Sequence, residues 1–116
     1  MLLKNILKNL GLIMKLIIKN HGGGKTIEAI KLAIKENLYI VAANEKECYR
    51  IFSIVQSMGL NINFPITYSE LINAFYHKPG IKGFIIDEAE RFIEYVVKSD
   101  KIKYITLTKE NEVHDV

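Results

Sequence analysis

The chain has 116 residues, of which 49% are hydrophobic and 25% charged, and its net charge is +3. That composition excludes a disordered chain, and the length leaves little room for a second lobe. The mild basicity (pI near 8.9) is spread along the chain and includes only two arginines, Arg50 and Arg91. A nucleic-acid groove would cluster its cations among aromatics, so contact with nucleic acid stays open without being indicated.

Taken in order, residues 1–13 carry Leu2, Leu3, Ile6, Leu7 and Leu10 at helical spacing, which predicts an amphipathic appendage. Lys4, Lys8 and Lys15 interrupt the apolar run, so it reads neither as a signal peptide nor as a membrane span. The expected domain covers residues 14–108. Within it, short apolar runs alternate with helical patterns, which argues for a parallel sheet with crossover helices. MKLIIK at 14–19 is the first expected strand. A helix follows over 25–37, with Ile27, Ile30 and Ile34 on one face and Glu28, Lys31 and Lys35 on another. LYIVAA at 38–43 is apolar enough for a strand buried on both faces.

Asn44, with Glu47 three residues on, predicts a helix N-terminus; that helix runs to about Met58, and Gly59 ends it in a left-handed turn. Residues 61–68 are extended, but Pro65 confines them to a short or edge strand. Ser69 is expected to cap a helix reaching about His77, and Pro79-Gly80 to turn the chain. GFIID at 83–87 is the third expected buried strand; a helix follows near 89–98, and IKYITLT at 102–108 is the fourth strand. Residues 109–116 read as a polar, frayed tail. The lone cysteine, Cys48, permits no internal disulfide and fits a small core position on a helix in a reducing, cytoplasmic protein.

The segment Lys19-Asn-His-Gly-Gly-Gly-Lys-Thr26 lies between an expected strand and an expected helix, the context of a phosphate-binding loop. Its chemistry is specific. Gly22, Gly23 and Gly24 let successive N–H groups turn inward as an anion nest, and the helix start adds orphan donors and the positive end of its dipole. Asn20, His21 and Ile27 flank these donors in the same nucleotide-binding run. Lys25 reaches the β- and γ-phosphates, and the Thr26 hydroxyl binds Mg²⁺. Lys19 stands where such loops usually begin with glycine.

Phe84-Ile-Ile-Asp-Glu88 is a strand ending in two carboxylates. Ligands of doubly wound sheets bind beyond the carboxyl ends of the strands, which makes Asp87 a water-mediated Mg²⁺ ligand and Glu88 the group that orients the attacking water. The blander reading is acids favoured by a helix dipole. Thr108, at the end of the last expected strand, is a candidate γ-phosphate sensor. His77 and His114 carry no metal-ligand spacing, and the six tyrosines read as core edge.

GGGKT followed by FIIDEAE resembles the RecA-like, helicase-like division of P-loop NTPases, and within it a minimal first motor domain of a DExx helicase or phage terminase ATPase. The phosphate loop and DExx box are its specific matches; LYIVAANEKE, ITYSEL and ITLT match loosely. The resemblance implies a three-layer αβα fold around a mostly parallel sheet of four to five strands, with the last strand between the first and third. It also implies ATP and Mg²⁺ as cofactors, Lys25 and Glu88 as catalytic residues, and a phage or mobile-element setting. A second motor domain, which normally supplies an arginine finger, has no counterpart, so hydrolysis is expected to be slow and to depend on a protein partner, a homo-oligomer or nucleic acid. The first strand would be an exposed edge, to be covered by residues 1–13 or by a second chain. The alternative is a non-catalytic P-loop scaffold working as a protein–protein interaction module. A phosphotransferase would need an arginine-rich acceptor site that two arginines do not supply.

Overall fold

The computed structural model describes residues 14–18, 22, 24–74, 76, 80–106 and 112–115. The protein is α/β. In chain order the described elements are β1 (Lys15–Ile18), α1 (Lys25–Glu36), β2 (Leu38–Ala42), α2 (Glu45–Ser57), β3 (Ile66–Thr67), α3 (Tyr68–Ile72), β4 (Gly83–Ile86), α4 (Ala89–Val97) and β5 (Glu112–Asp115). They fall into two units. One holds β1, Lys25, β5 and the residues from Lys103 on; the other is Thr26–Ile102.

The larger unit is built on a parallel sheet of order β3-β2-β4. β2 is its centre, as LYIVA requires: Tyr39, Ile40, Val41 and Ala42 are all buried. Alternate side chains of a strand point to opposite faces, so β2 feeds two cores. On one face Ile40 and Ala42 join Ala29, Ile30 and Ala33 of α1 and Cys48, Ile51 and Val55 of α2. On the other, Tyr39 and Val41 join Ile66 and Tyr68, with Leu71 of α3 and Phe92 of α4 packed against them.

Local signals fix most boundaries. Asn44 caps α2 from an extended conformation, its Oδ1 accepting the Glu47 amide at 2.9 Å. The Glu47 carboxylate accepts from Arg50 Nε at 2.7 Å. α2 ends at Gly59 (φ +69), where Gly59 N donates to Gln56 O and Leu60 N to Val55 O, the paired bonds of a glycine-terminated helix. α1 ends at Asn37 in the left-handed region. Its Nδ2 donates to Gly80 O at 2.7 Å and its carbonyl accepts Lys82 N at 3.0 Å, which ties the start of β2 to the approach to β4.

Four expectations change. The cap of α3 is Thr67 rather than Ser69: Thr67 Oγ1 accepts Glu70 N while Glu70 Oε1 accepts Thr67 N, and the helix stops at Ile72. The strand β4 is not buried on both faces. It pairs only with β2 among the described residues, and Phe84 and Ile86 stay 38% and 37% exposed. Residues 102–106 are not in a strand, although β-branched and aromatic residues favour one; propensity gives way where no ladder partner is paired. Glu112–Asp115, read as polar tail, pairs in parallel with β1, Lys15 opposite Glu112 and Ile18 opposite Asp115. A ladder uses backbone donors and acceptors, so a polar segment serves. One side of β1 is thus covered by the chain's own residues. The expected appendage, residues 1–13, lies outside the described residues.

Two buried acids make stability sensitive to alkali. Burial first, then Glu70, Glu45 and Glu47, push the Cys48 thiol up to about 11. Burial likewise pushes the Tyr68 phenol up to about 12, with Arg91 opposing and the nearby carboxylates adding. A pKa raised by folding gives stability that is complete below the unfolded value and lost as pH rises through the folded one. The urea midpoint is therefore expected to hold to about pH 9 and then fall through pH 11 to 12, with each group contributing up to about 3 kcal/mol. Cys48→Ala, less stable at neutral pH through lost packing, should flatten the first part of that decline.

Candidate functional site

In the smaller unit, β1 leads into the glycine loop. Gly22 and Gly24 have φ of +76 and +85, values open to glycine and costly for other residues. Among the described residues, no atom beyond the chain neighbours lies within 4 Å of a Cβ built at either, so backbone conformation is what calls for glycine there. Lys25 then opens α1. Lys25, Thr26, Ile27 and Glu28 form its first turn and are half-buried. The first N–H groups of any helix find no acceptor within the helix itself, and its start carries the positive end of the dipole. Asn20, His21, Gly23 and Thr108 of the expected site lie outside the described residues.

In the larger unit, all three strands run the same way, so their carboxyl ends share one edge. Asp87 follows β4 there, its N–H donating to Val41 O at 2.9 Å and adding one rung to the ladder. Glu88 comes next and is the N-cap of α4, in the left-handed region at φ 58, ψ 65. Both residues are half-buried. Thr26 belongs to this unit and Lys25 to the other.

The Glu88 backbone departs from ordinary capping. N-cap residues are normally extended, as Asn44 and Thr67 are. The other described non-glycine residues at positive φ, Asn37, Ala74 and Lys98, sit at the C-terminal ends of helices, where that conformation is common. Glu88 instead precedes a helix and its side chain makes no capping bond. Such a conformation costs about 1–3 kcal/mol. Its carbonyl accepts Arg91 N at 3.0 Å and Phe92 N at 3.1 Å.

Tyr68 is the residue that the sequence reading missed. It is buried, 1% exposed, and its hydroxyl lies 2.6 Å from Asp87 O and 3.1 Å from Glu88 O. Its ring meets Phe92 edge-on at 5.1 Å. The signal available was Thr67-Tyr-Ser-Glu70, a capping box that fixes Tyr68 as the first residue of a helix.

Among the described residues of the larger unit, two cavities stand out. One, of about 510 Å³, sits at the carboxyl edge among Ala43, Asn44, Tyr68, Arg91 and Lys98. The other, of about 810 Å³, is lined by Asn37, Tyr39, Glu45, Phe64 and Glu70 among others. Lys25, Thr26, Asp87 and Glu88 line neither. No group of three or more His, Cys, Asp or Glu able to hold a metal ion occurs among the described residues, and no described helix is long and apolar enough to cross a membrane. Comparison with protein-family models, curated proteins and solved structures finds no match to this chain.

Proposed function

We propose that the protein binds Mg-ATP at its glycine loop and hydrolyses it slowly, in concert with a protein partner, a second copy or nucleic acid. The carrying observation is the left-handed bend at Gly22 and Gly24 running straight into a helix that starts Lys25-Thr26. It is supported by a parallel strand that ends in Asp87-Glu88 at the carboxyl edge of its sheet. A minimal RecA-like, three-layer core is compatible with helices on both faces of β3-β2-β4, and a fourth and fifth strand belong to this proposal.

The residues suit the ligands. Loop N–H groups and the α1 start would bind phosphate oxygens, and the Lys25 ammonium would neutralise the β–γ region. Mg²⁺ keeps several waters and takes one or two protein ligands, so Thr26 and Asp87 would hold it without a cluster of acids. When bound, it would supply charge neutralisation across the β- and γ-oxygens. Glu88 would accept a hydrogen bond from the attacking water and take up its proton. Arg50 is engaged by Glu47; an arginine supplied by a partner would be worth about 10³–10⁵ in rate.

A second reading, a non-catalytic scaffold, is favoured by exposed apolar residues on α4: Tyr95, Val96 and Val97 are 45–55% exposed and suit a protein partner. The two readings separate by ligand-induced stabilisation. Mg-ATP at 100 times its Kd is expected to add about 2.7 kcal/mol, read as a rise in Tm that Lys25→Ala abolishes. An unchanged wild-type Tm would leave the scaffold. Glu88→Gln is expected to keep the Tm rise and lose at least tenfold in turnover; undiminished turnover in that variant would remove Glu88 from its assigned role.

A further inference from the structure

The geometry points to Tyr68 as a positioning residue for Glu88: its hydroxyl, shared between the Asp87 and Glu88 carbonyls, holds Glu88 in the left-handed conformation from which its side chain departs. This rests on Glu88 being the acid that orients water.

The clamp is over-determined on both sides, as a strained residue requires if it is to persist. The Asp87 amide is fixed to Val41 O, and the Glu88 carbonyl also takes the first two amide bonds of α4. Tyr68 itself cannot drift. The Thr67–Glu70 capping box anchors its backbone, and Phe92 and Tyr95 flank its ring at 5.1 and 5.8 Å. With the phenol pushed up to about 12 by burial, the hydroxyl keeps its proton across the neutral range and remains a donor. No side-chain cap offsets the strain, because the Glu88 side chain makes no capping bond to α4 and the residue serves that helix through its carbonyl alone. What it sets is the direction of a carboxylate at the edge where parallel α/β sheets bind ligands.

The test uses the full chain, Tyr68→Phe, and 4-aminophenylalanine incorporated at position 68, which restores a donor in place of the hydroxyl. NMR reads the backbone φ of Glu88 through its amide–Hα coupling and carbon shifts, with no nucleotide present. Tyr68→Phe is expected to lose the left-handed signature of Glu88 while Asn37 and Lys98 keep theirs, and the amino variant is expected to retain it. In turnover, Tyr68→Phe is expected to lower kcat about tenfold, the kinetic equivalent of one hydrogen bond, with KM changed less than about twofold, and the amino variant to recover most of it. A left-handed Glu88 in folded Tyr68→Phe overturns the clamp whatever the turnover, as does a folded amino variant without it. Lost left-handedness with unchanged kcat overturns the positioning role. If the wild type neither binds nor hydrolyses Mg-ATP, the nucleotide assignment fails by itself, and the NMR comparison still decides what holds Glu88.

Discussion

The hydrogen-bond ladder on β2 is the constraint from which the larger unit is built. Its five residues pair with β4 along Leu38–Val41 and with β3 at Val41 and Ala42, and their side chains seed an apolar core on each face. Parallel strands need covered faces, so the helices on either side are a requirement of this ladder. The ladder also carries the acidic turn. Asp87 N–H to Val41 O is its last rung, and the chain leaves the sheet at that point into Glu88.

Much of this was legible because it is local. The apolar run LYIVA, the Asn44 cap, the Gly59 terminator and the proline-limited strand at 66–67 each follow from chemistry within a few residues. The α1 start after a glycine bend is of the same kind. What was not legible depends on partners distant in sequence. GFII reads as a core strand, yet its burial is set by whether a neighbour lies on its far side. EVHD has too little apolar character to suggest a strand, and its pairing with β1 is made by backbone groups that every sequence has. Residues 102–106 show the converse: strand-forming side chains are insufficient without a ladder.

The candidate site divides the same way. Lys25, Thr26, Asp87 and Glu88 could be proposed from two short motifs, whose residue types and spacing suit phosphate and metal chemistry. Tyr68 could not, because its role is a contact across the sheet to carbonyls some twenty positions away in the chain. Nor does any sequence pattern signal that a glutamate takes up a conformation usually left to glycine. Glycine there would fit the backbone more comfortably but would remove the carboxylate. Under the role proposed for Glu88, comfort and chemistry would conflict at one residue, a pattern known from functional positions.

The β2–β4 pairing also has a temporal side. A ribosome emits the chain from the amino end, and LYIVA emerges well before GFII, its principal partner. Until Ile86 is out, the most apolar of the described strands would have only a two-residue pairing with β3 open to it among its ladder partners. Nascent chains in that state are vulnerable to sticking to one another. Early formation of α1 and α2, which lay Ala29, Ile30, Ile51 and Val55 against one side of it, would shield the strand during the wait.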